Sequence, residues 1–96
     1  MKLSGYTPDK SIVVSGVFLF VGTHGLPLEV ILEDFKRRNW QVDWDDYIQS
    51  AMKDGQKYNN ARSKILEAVG DVYGNKFKEQ IIIRLDILKQ WHDRSI

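Results

Sequence analysis

Ten uncharged residues near the start of the chain, Ile12-Val13-Val14-Ser15-Gly16-Val17-Phe18-Leu19-Phe20-Val21, constrain the fold more than any other feature. As a helix, the run is apolar nearly all round and has to sit at the centre of the molecule. As a strand, it suits the β-branched and aromatic residues it carries, but its backbone then needs a partner. Gly16 weakens either form, and a continuous apolar run has no period to decide between them. The best candidate strand partner is Gln80-Ile81-Ile82-Ile83-Arg84-Leu85, which reads equally well as helix. A lone strand in a helical chain leaves buried N–H and C=O groups unpaired, so the run is read as a buried helix. The expected class is therefore all-α, a compact irregular bundle of four to five short helices. The alternative is α+β, with residues 12–21 as a strand. The run is about half the roughly 20 residues that cross a bilayer, and no small-x-small cleavage site follows it. No membrane partner is expected.

Other segments declare themselves more clearly. Pro27 and Glu29 suit the start of a helix, and Leu28, Ile31, Leu32 and Phe35 recur at i, i+3, i+4 and i+7. Lys36, Arg37 and Arg38 favour its negative end, and Asn39 suits a left-handed cap. Glu33–Arg37 and Asp34–Arg38 are i,i+4 pairs, worth roughly 0.2–0.5 kcal/mol each. Asp43 reads as the cap of a second helix, with Asp46 at its third position. Trp44, Tyr47, Ile48, Ala51 and Met52 share its inner face, and Gly55 ends it. A third stripe runs through Ala61, Ile65, Ala68, Val69 and Val72 and stops at Gly74. A fourth runs through Phe77, Ile81, Leu85, Leu88 and Trp91. The predicted helices are 26–38, 44–54, 59–73 and 76–92. Residues 1–11 read as an N-terminal arm, and 12–94 as one helical domain.

The balance of charge limits the function classes. The chain of 96 residues carries 14 basic and 13 acidic side chains, a net charge of +1. Such balance supplies no long-range field for nucleic acid or anionic lipid, and it does not oppose self-association. There are no cysteines, which removes disulfides and thiolate chemistry and fits a reducing, cytoplasmic setting.

Catalytic patterns are absent from the sequence. His24 and His92 are the two histidines, and neither belongs to an H-E-x-x-H arrangement. Asp43, Asp45 and Asp46 lack the spacing of a calcium loop and read as helix-start charges. No serine sits in G-x-S-x-G, and the glycines spell no phosphate loop. No cofactor or metal is expected, and the chain is read as a non-enzyme. His24 with Asp34 or Asp43 is the one speculative constellation.

Surface chemistry gives the functional expectation. Trp40, Trp44, Tyr47, Tyr58, Tyr73, Phe77 and Trp91 exceed what a small core takes up, and such residues anchor interfaces. With Ile81–Ile83, they point to a protein-interaction or self-associating accessory module, either a homodimer or bound to another protein. The candidate interface is Tyr73, Phe77, Ile82, Ile83, Ile87 and Trp91. The alternative is a small nucleic-acid-associated regulator. Residues 53–94 hold nine basic and six acidic side chains, and Lys57, Arg62, Lys64, Lys76 and Lys78 would form its basic edge. A helix-turn-helix reading of 26–38 and 44–54 is disfavoured because the second helix starts acidic.

Overall fold

A computed structural model describes the backbone of residues 1–94 and the side chains of residues 1–90. The fold is mostly helical, with a small sheet. Among the described residues the order is β1 (Lys2–Tyr6), β2 (Ile12–Ser15), α1 (Val17–His24), α2 (Leu28–Arg38), β3 (Trp40–Val42), α3 (Trp44–Lys53), α4 (Tyr58–Tyr73) and α5 (Asn75–Arg94).

The apolar run divides at its glycine. Ile12–Ser15 is a strand, and Val17–His24 is a helix. Gly16 between them holds φ 79°, a left-handed value that a side chain disfavours. A Cβ at Gly16 would also lie 3.3 Å from the Met1 Cα. The uninterrupted buried helix expected over 12–21 is thus corrected, and so is a strand over its full length. Ile12–Ser15 takes the form its β-branched residues favour, whereas Val17–His24 is helical despite the β-branched, aromatic and glycine residues it carries.

The strand finds its partners in unexpected places. β2 is the middle strand of a three-stranded sheet. β1 runs antiparallel to it, with Lys2 opposite Ser15 and Tyr6 opposite Ile12, and with a bulge between Leu3 and Gly5. β3 runs parallel to it, with Ile12 opposite Trp40 and Val14 opposite Val42. The segment Gln80–Leu85, the strand partner considered from sequence, lies within helix α5. Parallel strands need a long crossover, and α1 and α2 supply it. The β1–β2 turn is closed by Thr7 N–H donating to the Ser11 carbonyl at 2.9 Å. Buried Ser11 donates from Oγ to Asn39 Oδ1 at 3.1 Å, fastening that turn to the end of α2.

The expected helix boundaries are met with small shifts. Asn39 caps α2 at φ 57°. Asp43 caps α3, its side chain accepting from Asp46 N–H at 3.1 Å. Asp34 pairs with Arg38 at 3.0 Å, but Arg37 turns to Asp34 at 3.2 Å rather than to Glu33. The core lies between the helices and one face of the sheet. It includes Val14 and Val42 from the strands, Leu32 and Phe35 from α2, Ile48 from α3, Ile65 and Val69 from α4, and Leu85 from α5. Tyr58 donates its hydroxyl to the Leu85 carbonyl at 2.6 Å, locking α4 to α5.

Candidate functional site

The residues singled out as an interface split into two groups. Tyr73, Phe77 and Ile82 are half-buried and pack against the core. Tyr73 stacks on Phe77 at 4.2 Å and donates its hydroxyl to the Leu32 carbonyl at 3.4 Å. Burial raises its pKa above the ordinary tyrosine value. Ile83 and Ile87 instead face outward on α5, 62% and 49% exposed. The side chains of Trp91 and His92 lie outside the described residues.

Among the basic residues, Arg62 and Lys64 lie on different sides of α4. Arg62 leans toward α5, where its Nε lies 3.5 Å from Asp86 Oδ1. Lys64, two residues on and therefore about 200° around α4, lines a cleft on the other side. The Lys78 stem lies over Gly70. Lys57 precedes α4 and Lys76 is exposed near the start of α5.

The acidic cluster organises the sheet end. Besides capping α3, Asp43 accepts from Ser4 Oγ at 2.6 Å. Asp46 accepts from Gly16 N–H at 2.8 Å, holding the strand-to-helix junction against α3. Asp45 accepts from Gln49 at 3.1 Å. His24 is exposed and tilted against Phe20, with ring centroids 4.3 Å apart. Its two speculative partners are engaged elsewhere, Asp34 by arginines and Asp43 by Ser4. Among the described residues no group of histidine, aspartate or glutamate is placed to hold a metal ion, and no helix is long and apolar enough to cross a membrane.

Two features emerge that sequence reasoning misses. The first is the edge of β1. This strand pairs on one side only. Leu3 is 58% and Tyr6 67% exposed on it. Met1, also exposed, borders a groove with Leu19 of α1, which is 66% exposed. Met1 immediately precedes β1, and Leu3 is the second residue of that strand. The one signal for it in the sequence is alternation in Met1-Lys2-Leu3-Ser4, which the turn residues Gly5 and Pro8 mask by marking an arm.

The second feature is a cleft of about 430 Å³ among α1, α2, α3 and α4. Phe18, Val21, Leu28 and Ala61 supply apolar lining, and Glu29, Tyr47, Asp54, Lys64 and Glu67 supply polar groups. The Tyr47 ring meets Phe18 edge-on at 5.4 Å. Burial raises the Tyr47 pKa, and the negative charge of Glu29 adds to the effect. The hydroxyl therefore keeps its proton through the neutral range.

Compared with known proteins, the chain matches no family model, no curated protein and no solved structure.

Proposed function

We propose that the chain is a non-enzymatic protein-interaction module that self-associates through the open edge of β1. The observation that carries this reading is an unpaired strand edge flanked by exposed Met1, Leu3, Tyr6 and Leu19. Unpaired N–H and C=O groups template another strand, and exposed apolar side chains beside them add area to bury. The occupant is a second copy of the chain with its β1 antiparallel. Lys2 is the single charged residue of the strand, and antiparallel pairing puts the two lysines at opposite ends. Like charges then avoid facing each other. The net charge of +1 leaves little repulsion between copies.

The apolar surface expected on the last two helices contributes Ile83 and Ile87, a second and smaller patch. Sedimentation equilibrium between roughly 5 and 500 µM, a span suited to a modest interface, separates the two surfaces. A dimer that is lost on Leu3→Lys with Leu19→Glu, and kept on Ile83→Glu with Ile87→Lys, is the expected result. A monomer throughout, or the opposite dependence on the two pairs, refutes the reading. All four positions are exposed, so the substitutions leave the core intact.

A further inference from the structure

We infer that the cleft among α1, α2, α3 and α4 is a binding site for a small organic cation, an ammonium carried on an apolar body. The starting observation is Tyr47. It is 7% exposed, yet its hydroxyl has no hydrogen-bond partner among the described residues. No fully enclosed side-chain oxygen or nitrogen is left unsatisfied there, so this hydroxyl reaches the cleft that Tyr47 lines. A buried polar group aimed into an opening is a ready contact for a ligand.

The charges around it choose the ligand. Glu29, Asp54 and Glu67 line the cleft with Lys64 as the one cation. Among the described residues none of these four side chains makes an ion pair or a hydrogen bond. Three carboxylates against one ammonium leave a local excess of negative charge, which disfavours an anion and attracts a cation. The cation belongs near Glu29, which lines the same cleft as Tyr47 and is engaged by no ion pair or hydrogen bond among the described residues. There a ligand ammonium donates to the Glu29 carboxylate and to the Tyr47 oxygen, bonds strengthened by its charge. Phe18, Val21 and Leu28 offer the apolar body a surface, and the Phe18 and Tyr47 rings favour a nearby positive charge. The volume of about 430 Å³ lies in the range of small-molecule sites. Such an ammonium comes either from a free amine or from a lysine side chain of another protein.

The test is a two-dimensional NMR titration of the full chain with hexylamine, hexanol, hexanoate and a lysine capped at both ends. Saturable shifts at Val21, Leu28 and Ala61 with hexylamine or the capped lysine, and none with hexanoate, are expected. Stronger binding of hexylamine identifies a free amine as the source, and stronger binding of the capped lysine identifies a protein side chain. Glu29→Gln should weaken binding about tenfold, and Tyr47→Phe several-fold, as expected for charge-assisted bonds. The unpartnered hydroxyl makes Tyr47→Phe safe for folding, so it carries the test even where Glu29→Gln disturbs α2. Equal binding of hexanoate or hexanol, no saturable binding of either amine, or unchanged affinity in Tyr47→Phe overturns the proposal.

Discussion

Replacing Gly16 by alanine tests the division of the apolar run with the sign of its effect. At φ 79° an alanine pays the left-handed penalty of roughly 1–2 kcal/mol. Loss of glycine's unfolded-state freedom returns about 0.4–1 kcal/mol. The added Cβ also meets the Met1 Cα at 3.3 Å, which a shift of a few tenths of an ångström relieves. The net is a loss of about 0.5–1.5 kcal/mol, or very roughly 2–12 °C in Tm for a domain of this size. Gly22 is the internal control. It lies inside α1, and a methyl group added there would meet no neighbour within 4 Å. Alanine at that position should stabilise by about 0.5–1 kcal/mol. Urea unfolding followed by circular dichroism measures both. Had the run been one continuous helix, Gly16→Ala would stabilise just as Gly22→Ala does. A stabilised Gly16→Ala variant therefore refutes the break at Gly16.

Three further outcomes follow from the packing. Asp43→Ala removes the α3 cap and the acceptor of Ser4, and should cost about 1–2 kcal/mol in the same urea assay. Leu85→Ala should cost about 2–5 kcal/mol because Leu85 is fully buried, whereas exposed Ile83→Ala stays within about 0.5 kcal/mol. Comparing their Tm values by calorimetry checks the orientation of α5. Tyr47 and Tyr73 hold their protons more tightly folded than unfolded. Their contribution is complete below the unfolded tyrosine pKa near 10 and is lost as pH rises through the higher folded values. Stability measured across alkaline pH should fall, and less steeply in a Tyr47→Phe, Tyr73→Phe variant.

Helices α2, α3, α4 and α5 are legible in the sequence because local signals agree at each. Around α2 the apolar stripe, the basic last turn and the Asn39 cap all point the same way, and all are seen. The sheet is illegible for a reason of length. β2 and β3 have four and three residues, too few for alternation to register, and their pairing joins segments 28 positions apart. The apolar run misleads because its β-branched and aromatic residues continue past Gly16, where the chain turns from strand to helix. The parallel partner Trp40–Val42 looks like a connector between two well-marked helices. The surface is harder still. Tyr73 and Phe77 read as exposed anchors, yet their pairing with each other and with α2 depends on how α4 and α5 fold back. The cleft joins residues from four helices, and no local pattern marks it.

The central claim is that β1 presents an edge which a second copy covers. Amide hydrogen exchange of Lys2–Tyr6, followed across a concentration series, tests it residue by residue. Pairing of two edges predicts that amides of β1 gain protection as concentration rises, while those flanking Ile83 and Ile87 do not change. Exchange at β1 that is independent of concentration, or protection gained around Ile83 and Ile87 instead, would contradict the account.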